Sequence, residues 1–300
     1  MKTLIAAAVV VGMAAPLAAQ DFEFRRELAA GSRFALRNII GDVRVEATSG
    51  RQVDVTARKK AGRHGDPDDV EIRQVETDGG LAICVIYPGQ RVRRDREDDR
   101  DDRDSRRSRR RSPSHDDPCH RNDGSWDGNN RNDTSIDFVV RLPAGLDLDI
   151  KTVSGDVIGD GIRGDQVDFG TVSGNVSLTD FTAASLDANS VSGDVDLARI
   201  QSREVSAETV SGDVTFGGTI HGQGRYDFKS LSGDVVLTLA GEPDAKVSAA
   251  TFSGHLNSDF PVTRDDTRRR RNRFNATWGS GGAALDLESF SGDIEIRRAK

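Results

Sequence analysis

The sequence predicts an all-β protein, a β-solenoid in which short strands stack coil upon coil. The prediction depends on a recurring five-residue phrase, on its near-constant spacing, and on alternating apolar residues around it. The phrase Val-Ser-Gly-Asp-Val at residues 153–157 recurs with small changes at residues 172–176, 191–195, 210–214, 231–235, 252–256 and 290–294. Successive serines are 19, 19, 19, 21, 21 and 38 residues apart, and 38 is twice 19. A fixed period of about 20 residues indicates a stacked repeat architecture.

Apolar and polar residues alternate on both sides of most phrases. Leu186 and Ala188 precede the third copy, and Val195 and Leu197 follow its turn. Alternation with period two is typical of a strand with one buried face. Each repeat is therefore expected to form a strand, a tight corner, a second strand and a looser return.

The glycine of each phrase is the predicted turn residue, because glycine reaches backbone conformations closed to other residues. The turn glycines are Gly155, Gly174, Gly193, Gly212, Gly233, Gly254 and Gly292. One such unit cannot bury its apolar face alone, so neighbours must stack to make a continuous core. A coil of 19 to 21 residues at ~3.3 Å per residue has a perimeter near ~60 Å, which favours a narrow solenoid with a dry interior.

A degenerate copy of the repeat begins near the N-terminus. Phe34, Leu36 and residues 41–45 fit the template, with Ile40 in the place of serine. Further strand-like runs, which we interpret as less regular coils of the same body, occupy residues 52–56, 70–75, 81–87 and 135–142.

Residues 1–19 have the composition of a secretory signal peptide. Lys2 precedes an apolar run over residues 4–15, and small residues follow. This run is too short and wrongly flanked for a membrane-spanning helix, and no later segment is apolar enough to cross a membrane. We expect export, to the periplasm, the cell surface or the extracellular space, and one elongated solenoid domain over residues 20–300.

Two charged inserts interrupt the repeat pattern. Residues 91–134 are rich in mixed charge without an apolar period, and we expect a disordered or solvated excursion. The basic insert at residues 262–281 contains an arginine run followed by Phe274 and Trp278. A role in contacting an anionic polymer or lipid surface is one interpretation of either insert, and a tolerated, solvated loop is the favoured one. Nucleic acid is not an expected partner, because an exported protein rarely meets it.

The two cysteines, Cys84 and Cys119, are expected to pair in an exported protein, since oxidising compartments favour disulfides. Two unpaired thiols are the alternative. His115 and His120 flank Cys119, which makes a weak metal candidate without a second ligand pair.

Five aspartates share the fourth position of the phrase and form a candidate calcium site. They are Asp156, Asp194, Asp213, Asp234 and Asp293. If they line one corner, their carboxylates lie roughly 5 Å apart, a row that offers oxygen ligands to calcium or a carboxylate pair for glycan cleavage. Asn175 and His255 interrupt the row, and its uniformity favours a structural ladder in which each Asp caps its own backbone.

Two short motifs carry little weight. Residues 159–164 match the Gly-x-Gly-x-x-Gly dinucleotide fingerprint, but a repeat strand follows where a helix is required. Residues 163–165 spell Arg-Gly-Asp, which we interpret as a loop. No Ser/His/Asp order or phosphate loop occurs, so we expect no enzyme activity and no cofactor. The net charge of −7 is mild and indicates no class of partner.

The signal peptide, the Val-Arg-Leu-Pro-Ala-Gly segment at residues 140–145 and the repeated phrase together resemble the bacterial putative-adhesin family of unknown function. The pattern is also related to that of head GIN domain proteins. The resemblance covers roughly residues 34–296 and leaves the charged inserts outside. It implies a β-solenoid at the cell envelope or surface, and it supplies no catalytic residues.

The sequence thus predicts an exported, non-enzymatic binding, adhesion or scaffolding module of the cell envelope. Its expected partner is an envelope protein or a surface polymer, and exposed solenoid ends offer a route to self-association. An envelope-stress or signalling accessory domain is the alternative function. A β-helix glycan-active enzyme is a further alternative, which requires a groove with unequal acids and bases.

Overall fold

The fold is all-β and solenoid-like, as the computed structural model shows for residues 22–77, 79–88, 119, 132–264 and 272–299. The predicted signal peptide at residues 1–19 lies outside the described residues. So does the 91–134 insert, apart from Cys119 and residues 132–134. Within the described part of the chain, the only helical element is a 3₁₀ turn at Pro67–Asp69.

The N-terminal third forms seven strands. They are β1 (Phe22–Glu27), β2 (Arg33–Arg37), β3 (Val43–Ala47), β4 (Gln52–Lys60), β5 (Glu71–Thr77), β6 (Gly80–Ile86) and β7 (Ser135–Leu142). The central repeats form nine more. They are β8 (Leu146–Lys151), β9 (Val157–Asp160), β10 (Gly164–Ser173), β11 (Val176–Thr179), β12 (Thr182–Ser192), β13 (Val195–Ser211), β14 (Val214–Gly218), β15 (Arg225–Ser232) and β16 (Val235–Leu239).

The C-terminal part adds six strands. They are β17 (Ala245–Ser253), β18 (Leu256–Ser258), β19 (Thr263–Arg264), β20 (Asn272–Trp278), β21 (Ala283–Ser291) and β22 (Ile294–Arg298). Strand β20 lies inside the segment that the sequence marks as a basic insert. It pairs antiparallel with β17 along its whole length, and residues 265–271 of that insert lie outside the described residues.

Successive coils stack in parallel along two faces. On the first face, Leu186 pairs with Val167 in one neighbouring coil and with Val205 in the other. On the second face, Val176 pairs with Val157 and with Val195. All six side chains point inward and are buried. The period-two alternation in the sequence thus becomes one continuous core between the two faces.

The order of coils in the stack differs from their order in the chain. Strand β21 pairs in parallel with β15 on one side and with β17 on the other. The seventh phrase therefore lies between the fifth and the sixth. The doubled step of 38 residues has this structural cause: the chain passes through the sixth coil and β20, then returns to fill the gap beside β15.

The N-terminal copy is placed in the same way. Strand β2 pairs in parallel with both β6 and β8, and β3 pairs with both β7 and β9. The degenerate copy at Phe34–Val45 thus occupies a full place in the stack, one coil from its end. Antiparallel strands extend the two ends, with β5 on β6 and β20 on β17.

Each corner is fixed by the close approach of successive glycines. Gly193 has a φ of 152°, in the region that favours glycine, and a Cβ there would lie 2.0 Å from the carbonyl oxygen of Gly174. The amide of Gly193 also donates to the carbonyl of Ser211 in the next coil, at 2.9 Å. The corner therefore requires glycine both for its backbone conformation and for lack of space.

We expect Gly193→Ala to destabilise the fold by ~3 kcal/mol or more, because it combines a strained backbone conformation with a backbone clash. Gly170→Ala is the matched control, since the nearest atom to its new Cβ would be 3.6 Å away, in ordinary contact. Thermal unfolding followed by circular dichroism measures both. A Gly193→Ala protein that melts together with Gly170→Ala would contradict the account.

Candidate functional site

The Ser-Gly-Asp corner joins the two faces of every coil. In the third copy, β12 ends at Ser192 and the next strand begins at Val195, so two residues make the turn. Because coils stack in register, equivalent corner residues form rows along the solenoid. Three of these rows have a defined chemical character, and we consider each as a candidate site.

The first row, which we call the aspartate ladder, is held by side-chain hydrogen bonds between coils. The amide of Asp213 donates to Oδ1 of Asp194 at 2.8 Å, and the amide of Asp234 donates to Oδ1 of Asp213 at 2.8 Å. In stacking order, the ladder comprises Asp137, Asp42, Asp156, Asn175, Asp194, Asp213, Asp234, Asp293 and His255.

This geometry places all five predicted aspartates on one corner, but their bonding differs from the expected local capping. Each side chain accepts the amide of the next coil rather than one from its own turn. Asn175 fits because its Oδ1 accepts the amide of Asp194 in the same way, at 2.8 Å. His255 ends the ladder. Its amide donates to Asp293 Oδ1 at 2.7 Å, its ring Nδ1 lies 3.3 Å from the same oxygen, and these contacts lower the pKa of Asp293. Because the side chains along the row make equivalent hydrogen bonds, the row is a structural ladder.

Beneath the corner lies a second row, of buried hydroxyls. Ser190 Oγ donates to the carbonyl of Gly174 at 2.9 Å, and Thr209 Oγ1 donates to that of Gly193 at 2.8 Å. The same bond is made by Thr152, Thr171, Ser230, Ser289 and Thr251. Since these side chains are buried, an unpaired hydroxyl there would be costly. The bonds hold the residue that follows each hydroxyl in a fixed outward position.

That residue forms the third row, which we call the corner ridge. Its members are apolar and yet 43% to 53% exposed. In stacking order they are Val153, Val172, Val191, Val210, Leu231, Phe290 and Phe252. The rings of Phe290 and Phe252 stack at 4.9 Å with an interplanar angle of 5°. The ridge is thus a continuous apolar row exposed to solvent.

The sequence interpretation did not single out the corner ridge, although the alternation of inward and outward residues along each strand predicts that these apolar side chains point outward. Ile150 and Thr152 point inward, two residues apart, so Val153 directly after Thr152 must point outward. An apolar residue at the same outward position of every phrase is not explained by packing of the core. A shallow groove runs along the broad half of the ridge, lined by its last four residues, Val210 to Phe252 in stacking order, and by Glu208, Lys229 and Glu288.

An acidic row on the first face was also missed. Asp occupies the fourth position before the ridge residue in five repeat coils, at Asp149, Asp168, Asp187, Asp227 and Asp286. Burial and the neighbouring Asp168 charge raise the pKa of Asp187. The described residues contain no group of three or more His, Cys, Asp or Glu side chains that could hold a metal ion.

Asp149 differs from the rest of this row because its carboxylate is buried and paired with basic side chains. Arg37 Nη2 donates to its Oδ2 at 2.6 Å, Arg33 also donates to Oδ2, and Lys151 lies 3.6 Å from Oδ1. Burial raises the pKa of Asp149, but the contacts with Arg37, Lys151 and Arg33 together outweigh it, so that the pKa lies below its ordinary value. These contacts join the degenerate N-terminal coil to the first full repeat.

The cysteines and the Gly-x-Gly-x-x-Gly segment are not part of the three corner rows. Cys84 and Cys119 form a disulfide with a Cα–Cα distance of 5.6 Å. His115 and His120 lie outside the described residues. The Gly-x-Gly-x-x-Gly segment at residues 159–164 connects β9 to β10, two strands, without the helix that a dinucleotide site requires. Among the described residues, no helix has the length and apolar character needed to cross a membrane.

The Toastrack DUF4097 family model matches residues 140–297, more than half of the chain. The protein belongs to the Toastrack DUF4097 family. This agrees with the resemblance that the repeated phrase predicts, to a putative-adhesin family of unknown function. No curated protein matches the chain.

The solved structures that match this Toastrack protein share little of its sequence. A putative cell adhesion protein from Clostridium sporogenes is 12% identical, with coverage of 93% of this chain and 100% of that chain and a TM-score of 0.36. A putative adhesin from Bacteroides fragilis is 9% identical, with coverage of 92% and 97% and a TM-score of 0.39. A putative adhesin from Parabacteroides distasonis is 10% identical, with coverage of 92% and 97% and a TM-score of 0.29. These scores carry no argument about function.

The aspartate ladder predicts different stabilities for two substitutions of Asp194. Asp194→Ala removes the acceptor for the amide of Asp213 and should cost ~1 kcal/mol of unfolding free energy. Asp194→Asn keeps the acceptor, as Asn175 does naturally, and should be near neutral. Thermal unfolding of both variants measures the difference. Equal melting temperatures for Ala and Asn would show that the hydrogen bond does not stabilise the stack.

The Asp149 contacts predict that the contribution of this carboxylate to the free energy of unfolding is lost at low pH. A carboxyl group with a lowered pKa in the folded state contributes stability above its ordinary pKa of ~3.9 and loses that contribution as the pH falls through the folded value. Asp149→Asn should therefore cost ~2 kcal/mol at neutral pH and much less near pH ~2. Asp286→Asn is the matched control, because Asp286 occupies the same row and is exposed. A cost for Asp149→Asn that is independent of pH would contradict the assignment.

Proposed function

We propose that this protein is an exported, non-enzymatic binding module of the bacterial cell envelope. It contacts an envelope protein or a surface polymer through the corner ridge. The single observation that carries the proposal is the ridge itself, a row of seven large apolar side chains about half exposed on the outside of a regular scaffold. A contact surface of this kind suits adhesion or scaffolding.

The size of the corner ridge supports the proposal. The half-exposed side chains together present ~600 Å² of apolar surface, the upper end of what a monomeric protein exposes in one patch. Ser192 and Ser211 border the ridge on one side, and Glu208 and Lys229 border it on the other. An apolar patch with a polar rim is typical of a protein interaction site.

The rigidity of the corner ridge supports it further. Every ridge residue lies between a buried hydroxyl bonded to a glycine carbonyl and a Ser-Gly turn bonded to a neighbouring coil, as at Ser190 and Gly193. Pre-organised side chains lose little conformational entropy when a partner binds. The scaffold thus displays the row in one fixed geometry, which favours a binding role over a packing role.

The aspartate ladder favours binding over catalysis. Glycan cleavage requires two carboxyl groups whose environments push their pKa values apart. Asp194, Asp213 and Asp234 instead share one environment, each accepting the amide of the next coil. The row supports the scaffold on which the ridge is displayed.

Two observations support the proposed export. The composition of residues 1–19 is that of a signal peptide. The Cys84–Cys119 disulfide fits an oxidising environment, such as the periplasm or the cell exterior. Export to one of these compartments would bring the corner ridge into contact with envelope components.

The proposal predicts that charges on the corner ridge abolish binding. The protein from residue 20 onward, with Val191→Asp and Val210→Asp, should co-sediment at least ~10-fold less with envelope material of the native host, because two central apolar contacts are lost. Thr182→Asp with Gln201→Asp is the matched control, since these residues are exposed, pair between the same two coils and lie toward the opposite corner.

The two double variants carry the same added charge, so a difference between them reports on the ridge alone. Both should melt close to the wild type, since all four positions are exposed. Equal retention of the ridge variant and the control on envelope material would overturn the proposed function.

A further inference from the structure

The corner ridge changes in side-chain size from one end of the solenoid to the other. Four valines, Val153 to Val210, are followed in the stack by Leu231 and then by the stacked rings of Phe290 and Phe252. The narrow end and the broad end are separated by only a few coils at ~4.8 Å each. A partner that fits the whole row must therefore be broad where this chain is narrow.

We propose that the corner ridge packs antiparallel against the corner ridge of a second copy of this chain. This inference rests on the proposed function, because it names the occupant of the same surface. A second copy presents a row with the same coil spacing, so side chains stay in register along the whole contact. Self-association through the corner differs from the contact through solenoid ends that the sequence suggests.

Antiparallel packing matches small side chains with large ones. A two-fold axis between the coils of Val210 and Leu231 places Val210 opposite Leu231 of the second copy. The same axis places Val191 opposite Phe290 and Val172 opposite Phe252. Parallel packing would instead place phenylalanine on phenylalanine and valine on valine, which leaves a gap at the valine end. Because tight packing without voids stabilises an interface core, the antiparallel arrangement is favoured.

The charges beside the corner ridge complement one another about the same axis. Two positions before the ridge residues lie, in stacking order, Lys151, Gly170, Asn189, Glu208, Lys229, Glu288 and Ala250. The axis brings Glu208 opposite Lys229 of the second copy, and Lys229 opposite Glu208 of the second copy. Within one chain, Lys229 Nζ lies 3.3 Å from Glu208 and 2.6 Å from Asp227. The same groups would thus form an alternating cluster across the centre of the contact.

The aspartate ladder stays at the rim of this arrangement. Asp194 and Asp213 lie three residues beyond the ridge, past a row of serines, where the chain turns away to the second face. Repulsion between exposed charges at the rim is screened by solvent and salt.

The contact area is sufficient for a reversible dimer. The six ridge residues that face one another about this axis bury ~500 Å² on each copy, or ~1,000 Å² in total, the minimum for a biological interface. Groups already fixed by the corner hydrogen bonds lose little entropy on association. We therefore expect a monomer–dimer equilibrium that shifts with protein concentration, rather than a permanent dimer.

Exchange of the two central charges tests the contact between copies. In Lys229→Glu, two glutamates face each other across the axis, and in Glu208→Lys, two lysines do. Each variant alone should dimerise at least ~10-fold more weakly than the wild type, because like charges meet at the centre of the contact. An equimolar mixture of the two variants should recover the wild-type dissociation constant, since each Glu then faces a Lys.

Sedimentation equilibrium of the protein from residue 20 onward measures all four samples, with circular dichroism to establish that each variant is folded. Only a contact between copies can be recovered by mixing, because mixing leaves the contacts within each chain unchanged. Recovery of dimer in the mixture is the expected result. A mixture no tighter than the single variants would overturn the self-pairing.

Cysteine cross-linking tests the direction of packing. An equimolar mixture of Val172→Cys and Phe252→Cys proteins should form a disulfide between copies, whereas Val172→Cys alone should not. Cross-linking of Val172→Cys to itself would overturn the antiparallel arrangement.

The two proposals fail in different ways. A wild type that stays monomeric at ~1 mM, but loses envelope binding with Val191→Asp and Val210→Asp, would overturn self-pairing and leave the proposed function standing. If that double variant keeps both the dimer and envelope binding, the self-pairing and the proposed function are both overturned.

Discussion

The close approach of successive glycine corners is the constraint on which the rest of this structure depends. With no Cβ at Gly193, the carbonyl of Gly174 comes within 2.0 Å of the position a Cβ would take. This approach brings the backbone of each corner within hydrogen-bonding distance of the next. A buried hydroxyl below the corner and an aspartate beyond it complete the same set of bonds, as at Ser190 and Asp194. Each bond is weak alone, and repetition along the stack makes the scaffold stable.

The same constraint explains the charged row at the corner but not the apolar row beside it. The fourth position of the phrase needs a short side chain with an acceptor oxygen, which Asp supplies and which Asn175 supplies equally well. The first position points away from the core and forms no such bond, so its chemistry is free to vary. It is nevertheless apolar in all seven phrases. The fold explains the aspartate ladder, whereas it gives no reason for an apolar corner ridge, and this contrast is the basis for assigning the ridge a binding role.

Local patterns in the sequence were sufficient to predict the strands, corners and core. Period-two alternation places Leu186 and Ala188 in the core, and the phrase spacing places the aspartates on one corner. The position of the seventh phrase between the fifth and sixth could not be predicted, because equivalent repeats offer nearly the same pairing partners and only three-dimensional packing selects among them. The pairing of Asp149 with Arg37 was hidden for a similar reason, since it joins coils that are 112 residues apart in sequence. The corner ridge, by contrast, was predictable from the parity of Val153.

Hydroxyl-radical footprinting tests the central claim, that the corner ridge is the contact surface, most directly. The side chains of Leu231, Phe290 and Phe252 are exposed, so their oxidation rates are measurable in the free protein. The account predicts that these rates fall when the protein is bound to envelope material or concentrated, while that of Ile158 on the second face stays constant. Unchanged oxidation of the three ridge side chains, with protection elsewhere, would contradict it.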